Sequence, residues 1–160
     1  MSTPASIARH PIHPMLIVFP ITFFVLAPIL DVVHTATGNP AWARIAFWDI
    51  VLGIATALVA AVPGFIDYLS LRGPAARLAT WHLALNLLVV AIFAANLFMR
   101  SDAVRGWEGD AGRWLPLALS VVGAVVLAVS GWLGGHMVYV HGVGVTREGR
   151  DDLAQRRRAA

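Results

Sequence analysis

The sequence of 160 residues contains no cysteine and no lysine, and only 13% of its residues are charged. Without cysteine, the chain forms no disulfide, no thiolate metal site and no cysteine-held iron–sulfur cluster. Its 12 basic residues are all arginines and form no basic patch interleaved with aromatic residues, so we exclude nucleic acid as a partner. Hydrophobic residues make up 58% of the chain, which is typical of an integral membrane protein.

Four apolar stretches are long enough to cross a hydrocarbon core, for which about 20 helical residues suffice. They cover approximately residues 14–34, 44–71, 78–100 and 114–138. The sequence therefore predicts an all-α fold, a four-helix transmembrane bundle over residues 1–145, followed by a charged tail over residues 146–160. Arginines are more numerous on the side that holds both termini, which predicts cytoplasmic termini. No sequence repeat of useful length stands out.

Polar residues inside the spans follow helical stripes, and such residues usually face the interior of a bundle. In the third span the stripe has steps of four and three residues and consists of His82, Asn86, Val89, Phe93 and Asn96. A similar stripe in the second span consists of Asp49, Gly53, Thr56, Ala60, Pro63 and Asp67. These stripes predict polar contacts between helices.

An antiparallel bundle would gather the polar residues at its two ends. The cytoplasmic end would hold five histidines and one aspartate: His10, His13, Asp67, His82, His136 and His141. The opposite end would hold an outer polar cluster of Asp31, His34, Asp49 and Asn96. The sequence thus predicts a histidine-rich site near one membrane face.

Several kinds of site are compatible with this pattern. A b-type haem needs two imidazoles at one depth, with glycines that make room for the macrocycle; His82 and His136 are the preferred ligands, with His13 and His141 as substitutes. Asp67, Asn86 and His10 would then orient the ligands from a surrounding layer. A divalent metal held by His13, His82, His141 and Asp67 ranks lower, because no His-x-x-x-His or similar pair of histidines lies within a single span.

Two further hypotheses need no cofactor. Asp49 and Asp67 could mark the ends of a proton or ion path, although the residues between them are mostly apolar. Alternatively, the protein is a non-catalytic structural or accessory membrane subunit, whose inward polar residues only specify helix packing. Enzymatic hydrolysis is disfavoured, since the sequence has no Gly-x-Ser-x-Gly and no His-Glu-x-x-His motif.

Four motifs distributed over nearly the whole chain resemble a known family. They are RHPIHPMLIVFPI, PGFIDYL, WHLALNL and GWLGGHMVYVHGVGV. The sequence resembles the bacterial membrane proteins of the domain of unknown function 2231, some of which are joined to Rieske-type domains. The resemblance implies a four-span protein of undetermined activity in the bacterial inner membrane, and it suggests electron transfer with a redox partner protein.

Overall fold

A computed structural model describes residues 4–8, 10–104 and 111–145 of the chain. The predicted tail over residues 146–160 lies outside the described residues. The elements, in chain order, are β1 (Ser6–Ile7), β2 (His10–Pro11), α1 (Ile12–Leu16), α2 (Val18–Thr37), α3 (Pro40–Ser70), α4 (Gly73–Val104) and α5 (Ala111–Tyr139). The two short strands pair antiparallel just before α1.

Four helical segments are long and apolar enough to cross a membrane. They are Ile12–Thr37, which combines α1 and α2, Pro40–Ser70, Gly73–Arg100 and Trp114–Tyr139. The prediction of an all-α four-helix bundle is therefore confirmed. Helices suit this environment because each satisfies its own backbone hydrogen bonds where lipid offers no partners.

Local sequence explains where the first span is interrupted and where it ends. α1 and α2 meet at Ile17, because Pro20 has no N–H to donate to the carbonyl of Leu16 one turn earlier. α2 ends at Gly38, whose φ of 66° is a left-handed conformation that suits glycine. The side chain of Asn39 then accepts a hydrogen bond from the backbone N–H of Ala41 and caps the start of α3.

The hydrophobic core lies where two diagonally opposed helices meet. α2 packs against α3 and α5, and α4 packs against the same two helices. Across this arrangement the rings of Phe24 and Phe93 stack with centroids 4.2 Å apart and planes 10° apart. Both rings are buried, and they join α2 to α4 at the centre of the bundle.

Each of these rings rests on a glycine of the neighbouring helix. A Cβ atom added to Gly53 in α3 would lie 2.7 Å from the ring of Phe24. A Cβ atom added to Gly123 in α5 would lie 2.6 Å from the ring of Phe93. Only glycine lets these helices approach the stacked rings so closely.

The same contacts show that the chain is built from two equivalent halves. Phe24 and Phe93 are 69 positions apart, and Gly53 and Gly123 are 70 positions apart, yet both pairs make the same contact. The hairpin of α1, α2 and α3 therefore corresponds to the hairpin of α4 and α5. Both halves run in the same direction along the bundle, so the correspondence is that of a parallel repeat. The repeat is one of packing, which the absence of a useful sequence repeat did not predict.

Substitution of Gly123 by alanine tests the close approach. We expect Gly123→Ala to lower the free energy of unfolding by about 1–3 kcal/mol, because the added Cβ would overlap the ring of Phe93, which is fully buried and stacked on Phe24. Gly131→Ala in the same helix is the control, since an added Cβ meets no atom within 4 Å there. The measurement is detergent-induced unfolding in micelles. Equal stability of the two variants would contradict the repeat-packing argument.

Candidate functional site

His13 links the first span to α3. Its Nδ1 lies 2.8 Å from the backbone carbonyl of Ala60. The imidazole also rests on Gly64, where an added Cβ would lie 2.7 Å from Nδ1. A carbonyl oxygen can only accept a hydrogen bond, so Nδ1 carries the proton and, in the neutral ring, Nε2 keeps its lone pair.

His82 makes the equivalent contact in the second half. Its Nδ1 lies 2.8 Å from the backbone carbonyl of Ser130 and 3.0 Å from the hydroxyl of the same residue. A Cβ added to Gly134 would lie 3.2 Å from Cε1 of this ring. His13 and His82 are 69 positions apart, and their carbonyl partners, Ala60 and Ser130, are 70 apart. The two imidazoles thus occupy equivalent places in the two halves of the bundle.

The second nitrogen of His82 has its own partner. Nδ2 of Asn86 lies 3.0 Å from Nε2 of His82, and it also donates to the backbone carbonyl of His82 at 2.9 Å. The sequence predicted Asn86 as a residue that orients His82, and the structure brings the two side chains together. Asn86, however, contacts Nε2 and not Nδ1, so it covers the nitrogen that a metal would need.

Two other predicted members of the histidine site, Asp67 and His10, make hydrogen bonds to the N-terminal segment. Asp67 accepts a hydrogen bond from the backbone N–H of Ala5 at 2.8 Å, which fixes the N-terminal strands over this end of the bundle. The exposed ring of His10 bonds to the carbonyl of Ala8. Neither side chain contacts His13 or His82 in these bonds, so the predicted orienting role of Asp67 and His10 is not observed.

His136 lies apart from His82. Its ring stacks on Trp132 with centroids 5.6 Å apart and meets His141 at 5.5 Å. His136 follows Gly134 by two residues, which is about 200° around the helix, whereas His82 contacts Gly134 itself. The structure therefore does not bring together the preferred pair of His82 and His136. The spacing of these residues predicted which end of the bundle they share, but it did not predict the rotation of α5.

A bare metal ion finds no obvious site in the described part of the chain. Among residues 4–8, 10–104 and 111–145, no group of three or more histidine, aspartate or glutamate side chains is placed to hold a metal. The predicted set of His13, His82, His141 and Asp67 does not form such a group.

The opposite end of the bundle contains a buried ion pair. Nη1 and Nη2 of Arg100 donate to the two carboxylate oxygens of Asp31 at 2.7 and 2.5 Å. The hydroxyl of Ser120 donates to Asp31 at 2.7 Å. Nε of Arg100 donates to Asn96 at 2.8 Å, and Asn96 in turn donates to Ser120 and to the backbone of Pro116. All four residues are buried, with at most 4% of their surface exposed.

Sequence reasoning missed two residues of this network. Arg100 is the last residue of the third predicted span, but the predicted polar stripe ended at Asn96, and Ser120 was not singled out. A signal for Arg100 was present, because it continues the stripe of His82 to Asn96 by one further step of four. A comparable signal marks Ser120, because it lies on one stripe of the fourth span with Gly123, Leu127, Ser130 and Gly134, in steps of three and four.

The predicted outer polar cluster is assembled only in part. Asp31 and Asn96 both contact Arg100, whereas Asp49 is buried in α3 and its Oδ2 makes no hydrogen bond to them. His34 is separate, since its Nδ1 bonds to the carbonyl of Asn39 in the turn before α3.

Comparison with known proteins identifies the family. The family described as "Predicted membrane protein (DUF2231)" matches residues 9–147, which is most of the chain. The chain belongs to this family. No curated protein and no solved structure matches the chain. Membership of the DUF2231 family, together with four apolar helices, establishes an integral multi-pass membrane protein and leaves its activity to be inferred from the sites above.

The buried ion pair of this DUF2231 protein gives a direct test. We expect Arg100→Leu to lower the free energy of unfolding by about 3–5 kcal/mol, because Asp31 would keep an uncompensated buried charge. The double variant Asp31→Leu with Arg100→Leu should lose less than either single variant. The exposed Arg77→Leu is the control, with an effect within about 0.5 kcal/mol. Detergent-induced unfolding measures all four variants. Additive losses in the double variant would show that the pair does not act as a unit.

Proposed function

We propose that His13 and His82 are the two axial ligands of a b-type haem, and that the protein is a redox component of the membrane. The observation that carries this proposal is the matched geometry of the two imidazoles. In each, Nδ1 is held by a backbone carbonyl of the next helix, which leaves Nε2 as the coordinating atom. Metal-ligating histidines commonly donate their other ring N–H in this way.

The number of available ligands favours haem over a bare metal ion. Haem iron needs only two axial ligands from the protein, because the macrocycle provides the other four. Zinc and similar ions usually need three or four protein ligands. The described residues offer a matched pair of imidazoles and no group of three metal-binding side chains. This donor set suits haem.

The residues around the pair have defined tasks in this proposal. The carbonyls of Ala60 and Ser130 fix the ring orientations and keep the proton on Nδ1. Asn86 gives up its contact with Nε2 of His82 when the ligand binds and retains its bond to the backbone carbonyl of His82. Bound haem would supply one-electron exchange with a redox partner protein.

The proposal includes a location. We place the protein in a bacterial inner membrane with both termini in the cytoplasm, because the arginine excess lies on the side of the termini. The histidine pair then lies near the cytoplasmic face, where a soluble redox partner could approach.

One observation favours a second candidate, a non-catalytic accessory subunit. Both ring nitrogens of His82 already have hydrogen-bond partners, and each histidine bridges two helices of its own hairpin. Such bonds contribute about 1 kcal/mol each to helix association. In this alternative the histidines only hold each hairpin closed.

Absorption spectroscopy separates the two candidates. We expect the detergent-purified full chain, expressed with haem precursor supplied, to show the Soret and α bands of a six-coordinate haem b after dithionite reduction. His13→Gln and His82→Gln should each remove the six-coordinate spectrum. Glutamine can still donate to the backbone carbonyl, so these variants are expected to keep the hairpin contact and to fold.

Two further histidines provide controls. His10→Ala and His136→Ala should leave the spectrum unchanged, because neither ring takes part in the matched pair. A stable, colourless wild-type protein would favour the accessory subunit. A spectrum lost in His136→Ala and kept in His13→Gln would contradict the assigned ligands.

A further inference from the structure

A buried carboxylate oxygen at the Arg100 end of the bundle has no partner. Asp49 in α3 is 6% exposed, and its Oδ2 accepts no hydrogen bond. A buried polar atom without a partner is costly, above all in a membrane-spanning helix. Arg100 does not provide the missing bond, because its Nε, Nη1 and Nη2 donate to Asn96, Asp31 and Ser120.

Asp49 borders a groove on the outer side of α2 and α3. The groove has a volume of about 460 Å³, which is within the usual range of small-molecule sites. Phe23, Trp48 and Leu52 form apolar walls, and Arg44 also lines the groove. Trp48 is 63% and Leu52 is 49% exposed on the apolar surface of the span, so the groove opens toward lipid.

These features define the chemistry of an occupant. A groove open to hydrocarbon receives lipophilic molecules, and two aromatic walls suit a flat ring. The acceptor at Asp49 needs a hydrogen-bond donor, which a membrane-soluble molecule can provide as a hydroxyl or an ammonium group. The guanidinium of Arg44 in the same groove repels an ammonium group, so a neutral hydroxyl is favoured.

We propose that this groove binds a quinol, a membrane-soluble hydroquinone with a hydrophobic tail. One ring hydroxyl donates to Asp49, and the ring lies between Phe23 and Trp48. Arg44 offers N–H donors to the second ring oxygen. The tail leaves along Leu52 into the bilayer. The proposal concerns binding alone and does not depend on the haem proposal, since it uses none of the same residues.

Equilibrium binding of decylubiquinol tests the site. The full-length chain is placed in nanodiscs of phosphatidylglycerol under anaerobic conditions, and bound ligand is measured by equilibrium dialysis. We expect saturable binding of decylubiquinol and at least about tenfold weaker binding of decylubiquinone, which has no hydroxyl to donate to Asp49. Asp49→Leu should weaken quinol binding at least about tenfold and leave quinone binding unchanged.

The variant is expected to fold, because Asp49→Leu removes a buried oxygen that has no hydrogen-bond partner. Its thermal stability should therefore equal or exceed that of the wild type. Equal affinity for quinol and quinone, or quinol affinity unchanged in Asp49→Leu, would overturn the proposal.

A matched pair of tryptophans controls for general lipid effects. Trp48 and Trp81 are both 63% exposed, but Trp48 lines the groove and Trp81 does not. Trp48→Leu should weaken quinol binding, and Trp81→Leu should not. Replacement of phosphatidylglycerol by phosphatidylethanolamine tests an amine lipid as the occupant. Loss of quinol binding in that lipid would assign the groove to the lipid amine and overturn the quinol proposal.

Discussion

The stacked rings of Phe24 and Phe93 determine how the two halves of the bundle meet. Each ring is in contact with the other and with a glycine of its own hairpin, so the separation of the helices is fixed at this level. His13 lies 11 residues before Phe24, and Asp31 lies seven residues after it, which are about three and two helical turns. All three therefore face the same way. His82, Phe93 and Arg100 in α4 have the same spacing. The stacked phenylalanines therefore lie between the level of the two histidines and the level of the Asp31–Arg100 ion pair.

The two halves pack in equivalent ways, but they carry opposite charges at the level of the buried ion pair. Asp31 and Arg100 occupy corresponding positions, 69 residues apart, and they pair with each other. Two identical carboxylates at these positions would repel each other in a buried site. The difference between the halves thus makes them complementary within a single chain. It also fixes which face of α2 meets α4, because a displaced helix would leave two charges unpaired in an apolar interior.

The sequence was sufficient to predict the spans and the buried faces. Lipid restricts the backbone to helices, so hydropathy alone located four of them, and the stripe of α4 predicted the burial of Val89, Phe93 and Asn96. Partner identity was harder to predict, because periodicity gives the face of one helix and not the rotation of its neighbour. For this reason His82 was paired with His136, whereas the structure places it against Ser130 and Gly134. The repeat escaped notice because it is preserved in packing and in few identical residues.

The comparison of the two halves also bears on why histidine is present. Many corresponding positions differ, as in Ala60 and Ser130, yet the pairs His13/His82 and Phe24/Phe93 are each identical in residue type. The glycines beneath the phenylalanines follow from the space that a ring needs. A bond to a backbone carbonyl does not by itself require imidazole, since a hydroxyl or an amide can donate equally well. The property that imidazole adds is a second nitrogen, held at a fixed angle by the first. Closure of the hairpin uses Nδ1 and does not require Nε2. A haem ligand would use Nε2, which accounts for imidazole at both positions.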